Sequence, residues 1–218
     1  MKFEWNDRTT DGRYSLTAKP TDYDGCPVID SLNVDWSPLT LHDDLMCVAS
    51  VLSFSSYLSG QIILPKKVSP EVAQGIQEFL SPTWTTIAPV EFEPRANPIA
   101  DGQLVVSNRF EDWERVPSQL GKPRTSTLII RKASDFAGVI ASSHGAILSS
   151  NAEELGFVNR GCAALPIIAV ALLYAETYHA SSLMLTPSVY DLMTKDDLIA
   201  VRKLLQTCKV GLTLADLE

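Results

Sequence analysis

The chain has no hydrophobic run long enough to cross a bilayer. Its longest, residues 162–175 (CAALPIIAVALLYA), has fourteen residues, whereas a spanning helix needs about 20. That run reads as a helix buried inside a globular protein, and no membrane association is expected. The opening residues, MKFEWNDRTTDGRYS, have no apolar centre, so no secretory signal is expected there. Cysteine is sparse: Cys26, Cys47, Cys162 and Cys208 are scattered and form no CxxC pair. Such spacing suits reduced thiols in a cytoplasmic protein better than a disulfide framework. Positive charge is short as well, 18 Lys and Arg against 26 Asp and Glu, for a formal net charge of −8. The average field repels phosphate, which argues against duplex DNA as the main partner.

Familiar catalytic motifs are missing too. There is no GxGxxG dinucleotide fingerprint and no HExxH zinc-protease helix. A phosphate-binding loop is absent, because Gly121-Lys122 runs into Pro123 and lacks the upstream glycine. No cofactor and no metal are expected. His42-Asp43-Asp44 carries metal-ligand types, but adjacent residues at a helix start point in different directions. Acids there complement the helix dipole instead.

What is present is an ordinary globular composition, 45% hydrophobic and 20% charged over 218 residues. The expected organisation is a single α/β domain over 1–218, dividing, if at all, near 108–124. The amino-terminal part is β-rich: 13–18 alternates as a strand does, 21–27 is turn chemistry, and 28–34 reads as a second strand. Thr40 with Asp43 matches a capping box before a helix through 41–54. Further strands are expected at 61–64, 85–92, 103–107, 125–130, 145–149, 181–185 and 210–214. Helices are expected at 70–80 after Ser69, after Ser134, after Asn151, at 163–178, after Thr186-Pro187, and after a second capping box at Thr194 and Asp197. Strands alternating with helices imply an α/β fold, with a mostly parallel or mixed sheet and flanking helices.

Two segments carry candidate chemistry. The first is 115–132, RVPSQLGKPRTSTLIIRK, which holds Arg115, Lys122, Arg124, Arg131 and Lys132 and no acid. Such a stretch in an acidic chain suggests a site for an anion or an acidic partner. Arg131 and Lys132 follow an expected strand, and open α/β sheets bind ligands at carboxyl ends of strands. A helix starting at Ser134 would add free N–H groups. Glu111, Asp112 and Glu114 are the acids nearby that could neutralise the stretch. The second segment is Ala141-Ser142-Ser143-His144-Gly145, a nucleophile elbow with alanine in the first glycine position. Ser143 is then a candidate nucleophile, with His179 the histidine downstream. Cys162, at the start of an apolar helix, is a candidate low-pKa thiol, although inert packing is the commoner role.

The segments LHDDLMCVASVLSF, FLSPTW and NRGCAALPIIAVALLYAETYHASSLML resemble parts of proteins related to the enzyme that makes 7-cyano-7-deazaguanine. The phosphate-binding SGGxDS of that family is absent, so no site residue carries over. The reading of the residues is a cytoplasmic binding or assembly subunit rather than an enzyme. Its partner would be an acidic protein or an anionic small molecule, reached through the basic stretch, and self-association is compatible with it. A serine hydrolase using Ser143 is the alternative, and an acidic inhibitor- or immunity-like protein is a third.

Overall fold

The structure, a computed structural model, describes residues 1–8, 12–93, 101–115, 124–159 and 161–215. Among the described residues, eleven strands form one mixed sheet. Its amino-terminal half is β1 (Lys2–Arg8), β2 (Arg13–Lys19), β3 (Ser31–Val34), β4 (Gly60–Val68) and β5 (Thr85–Val90). Its carboxy-terminal half is β6 (Gly102–Ser107), β7 (Thr125–Lys132), β8 (Val139–Ser142), β9 (Gly145–Ser150), β10 (Ala180–Leu185) and β11 (Gly211–Leu214). The order is β11-β10-β6-β7-β9-β3-β2-β1-β4-β5, with β8 on β9. Strands β11, β10, β6, β7 and β9 run parallel, while β1, β2 and β3 are antiparallel. The α/β class, mixed sheet and β-rich beginning are as the sequence implies.

Burial follows strand type. β2 alternates, with Tyr14, Leu16 and Ala18 inward, as a one-sided strand should. β9 is buried at every position, and β7 is buried from Ser126 to Ile130, as central parallel strands covered on both faces are. The helices are α1 (Asp43–Phe54), α2 (Pro70–Phe79), α3 (Asp112–Arg115), α4 (Ala152–Val158), α5 (Leu165–Ala175), α6 (Pro187–Tyr190) and α7 (Lys195–Thr207). α5 is buried at all eleven positions. A helix apolar all round has to be covered all round. α5 packs on β6, β7 and β10 on one side and on α1 and α4 on the other. α1 in turn packs on β4. The sheet therefore curls about the α1–α5 pair. Its edges are bridged by α2, which lies on β5, meeting α7, which lies on β11.

Several local expectations need correction. Thr40 does not cap α1. The helix starts at Asp43, and His42 is the cap, its Nδ1 accepting from the Asp44 N–H at 3.3 Å. Asp44 is taken by another task, accepting from the Ser69 N–H at 2.8 Å and so tying the starts of α1 and α2. No helix follows Ser134. The Asp135 and Phe136 N–H groups both donate to Lys132 O, a turn that leads into β8. Asn151 does not cap α4 with its side chain. Its amide reaches β3, accepting from Asn33 N–H at 2.7 Å and donating to Ser31 O at 2.8 Å. The capping box of Thr194 and Asp197 does form. The strand β1 lies outside the expected strands, although Met1, Phe3 and Trp5 alternate with Lys2, Glu4 and Asn6 and Asp11-Gly12 follows before β2.

α5 generates a stability prediction. Leu172 is fully buried, so Leu172→Ala should cost about 2–5 kcal/mol, measured by urea unfolding. A loss within experimental error would mean that the site is not packed as described.

Candidate functional site

Four chain segments meet where the parallel strands begin. The backbone of Gly102, first residue of β6, lies between the residues that precede its two neighbours. Its N–H donates to His179 O at 3.0 Å, and the next N–H, of Gln103, donates to Arg124 O at 2.7 Å. A Cβ at Gly102 would sit 2.7 Å from His179 O and 2.9 Å from Arg124 O. Only glycine permits that approach, and it holds Arg124 and His179 on either side of one strand. On the far side of Arg124, the Thr127 N–H donates to His144 O at 2.9 Å. There Gly145 approaches so closely that a Cβ would lie 2.0 Å from Thr127 O.

Gly145 closes a hairpin. Ser142 pairs with Gly145, so Ser143 and His144 form a two-residue turn between β8 and β9. The elbow expected at 141–145 would turn from strand into helix, whereas here it turns from strand into strand. Ser143 Oγ lies 3.0 Å from His144 Nδ1, and the His144 N–H donates to Ser142 Oγ at 3.2 Å.

This arrangement borders a cavity of about 300 Å³. Arg124, Ser142, Ser143 and His179 line it, with Trp36, Leu39 and Tyr178 on its apolar side. None of its described lining residues is acidic. Trp36 stacks on Tyr174 of α5, with centroids 5.0 Å apart and planes at 18°, and meets Tyr178 edge-on at 6.4 Å. The Tyr174 hydroxyl donates to Trp36 O, which anchors the aromatic wall to the central helix. His179 adopts a left-handed backbone, φ 51°, which turns the chain from the tail of α5 into β10. Trp36, Leu39 and Tyr178 belong to no motif, and no spacing rule in the sequence would have joined them to Arg124.

The basic stretch does not form one face. Arg124 precedes β7, whereas Arg131 and Lys132 end it. Eight strand residues separate the two ends by about 25 Å. Arg131 donates to Asn108 O at 2.8 Å and pairs with Asp135 at 3.4 Å. Lys132 pairs with Glu153 at 3.1 Å, and that carboxylate raises the lysine's pKa. Asp112, one of the nearby acids, instead accepts from the Ser107 hydroxyl at 2.6 Å. Arg115 is in α3, but its side chain is not described, and Lys122 lies outside the described residues. Only Arg124 of the described basic residues reaches the cavity with Ser143 and His179.

Among the described residues no group of three His, Cys, Asp or Glu could hold a metal ion, and no helix is long and apolar enough to cross a membrane. The Cys162 thiol donates to Leu192 O at 3.5 Å, and burial raises its pKa. Burial likewise raises the thiol of Cys47, and that of Cys208 to about 12.

Two measurements follow from these environments. Alkylation at pH 8 should label exposed Cys26 quickly and Cys47, Cys162 and Cys208 slowly, as mass spectrometry of the peptides would show. Rapid labelling of Cys162 would reverse that assignment. Burial also raises Tyr178 from 10.0 to about 12, and raises Tyr14 and Tyr174 well above 10.0. The unfolded chain therefore releases these protons first, so stability should be level below about pH 10 and fall as pH rises through about 12. Absorbance at 295 nm during alkaline titration should show a late, cooperative tyrosinate rise rather than early independent ionisation.

Compared with protein-family models, curated proteins and solved structures, the chain matches none. The resemblance to deazaguanine-synthesis proteins therefore rests on the quoted segments alone.

Proposed function

We propose that the protein binds a small anionic ligand in the cavity at the amino ends of its parallel strands, with Arg124 as the charge partner. One observation carries this reading. Arg124, Ser143 and His179 come from three separate segments and line one cavity that has an aromatic wall and no acid among its described lining residues. A guanidinium offers a planar fork of donors that matches a carboxylate or phosphate. Ser143 and His179 line the same cavity, whereas the Ser142 hydroxyl is engaged, donating to Gly145 O at 3.2 Å. A cation with no acid among the described residues that line its cavity, in a chain of net charge −8, is a local exception to a repulsive field. An acidic protein docking on Arg131 and Lys132 is less well supported, because it would have to displace Asp135 and Glu153.

The serine-hydrolase reading keeps one favourable observation, the 3.0 Å approach of His144 Nδ1 to the Oγ of Ser143, which lines the cavity that His179 also borders. Acyl chemistry needs a base that is itself oriented by a third group. No such partner of His144 is present among the described residues. Binding is accordingly preferred to catalysis, and Ser143→Ala should leave the protein's behaviour towards activated esters unchanged.

The binding reading is tested by thermal unfolding with phosphate, succinate or benzoate at low and high salt. At least one anion should raise the Tm of the wild type. Arg124→Gln should weaken that anion about tenfold, the scale of a charge-assisted hydrogen bond of about 1.5 kcal/mol. Salt should diminish the effect, since exposed charges are screened within about 10 Å at 0.1 M. No stabilisation by any of the three, or equal stabilisation of the variant, would remove the proposal.

A further inference from the structure

The cavity's walls say more about its ligand than that it is negative. We infer that it takes a planar aromatic acid with a single carboxylate, one or two rings in size; this rests on the anion-binding reading of the same cavity. Three features lead there. Among the described residues, the cavity is lined by one arginine and by no second Lys or Arg. One guanidinium balances one carboxylate. A phosphate dianion would keep an uncompensated charge inside a chain of net charge −8, whose field disfavours it.

The second feature is the aromatic wall. Trp36 has one face on Tyr174 at 5.0 Å and lies at 63° to the Tyr178 ring, and it remains only partly buried while bordering the cavity. An aromatic surface left at a cavity wall is satisfied by an offset or edge-on ring. Leu39 stands beside it, 77% exposed. An apolar side chain so exposed next to a cation favours a ligand with an apolar body and one charged end.

The third feature is size. A volume of about 300 Å³ lies at the small end of the range for ligand sites, about 300–1,000 Å³. It is enough for a benzoate or naphthoate to lie against the aromatic wall.

The test is equilibrium binding of five probes to the full chain: 2-naphthoate, benzoate, 2-naphthamide, acetate and inorganic phosphate. Calorimetry and tryptophan fluorescence are the readouts. 2-Naphthoate and benzoate should bind at least about tenfold more tightly than acetate, because burying a ring removes apolar area from water. 2-Naphthoate should also exceed its uncharged amide by about tenfold, and Arg124→Gln should erase that margin. Leu39→Ser alters an exposed side chain and should leave the Tm unchanged. It should narrow the margin of 2-naphthoate over acetate while keeping the margin over the amide. Trp36→Phe should preserve binding but remove most of the ligand-induced fluorescence change, since Trp5, Trp84 and Trp113 do not line the cavity.

The outcomes separate the two claims. If acetate or phosphate binds as tightly as 2-naphthoate and depends on Arg124, the aromatic assignment is wrong while the anion site stands. Binding of the amide as tightly as the acid would overturn the carboxylate. An unchanged naphthoate margin in Leu39→Ser would overturn the apolar wall. If none of the five binds, the aromatic assignment falls, and the anion reading falls with it when succinate also fails to stabilise the chain.

Discussion

The structure depends on covering α5. Its eleven residues are buried without exception, so it has no face to offer to water. A flat sheet covers only one side of a helix. The chain meets the requirement by curling its sheet around α5 and by setting α1, buried from Asp44 to Phe54, alongside it. Each fully buried Leu or Ile contributes about 1.5–3 kcal/mol of transfer free energy, so this pair accounts for much of the driving force. The curl brings the far edges of the sheet towards each other, and the α2–α7 contact closes the remaining side.

The joint between the halves of the sheet is narrow. β3 and β9 are registered at a single pair, Val34 with Ser150. Side chains reinforce it where ladder bonds are few. The Ser150 hydroxyl donates to Asn33 O at 2.8 Å, and Asn151 holds both Asn33 and Ser31. This explains why Asn151 is not a helix cap: its hydrogen-bonding capacity is used by a strand more than a hundred residues earlier. The same curvature, with the close approaches at Gly102 and Gly145, gathers the strand starts that surround the cavity. The Tyr174–Trp36 contact then couples the cavity wall to the central helix, so site and core are not independent.

Elements whose cause is local could be read from the chain. The alternation at 13–18, the Pro70 start of α2 and the capping box at Thr194 and Asp197 are each decided within a few residues. The expected strand positions are accordingly close, and the expected helix at 163–178 is α5, longer by a few residues at each end. Misreadings arise where a polar side chain has a distant partner. Asp44 looked like part of an acidic helix start and is bonded to Ser69. Ser134 had the chemistry of a cap, but the chain there turns back to form β8. In the site, Arg124, Ser143 and His179 were candidates for separate reasons, while Trp36, Leu39 and Tyr178 offered no signal because aromatic and aliphatic residues are ordinary core material.

By itself the sequence determined the class of the fold, the buried helix at its centre and the strongest of its caps, because periodicity and neighbouring side chains act over a few residues. Only the tertiary structure decided strand order, and strand order decides what meets at an edge. It placed Arg124 at one end of β7 and Arg131 with Lys132 at the other, since consecutive residues of a strand are carried apart at about 3.3 Å each. It also brought Arg124 to His179 across a single glycine, a contact between residues more than fifty positions apart that depends on which strands lie side by side.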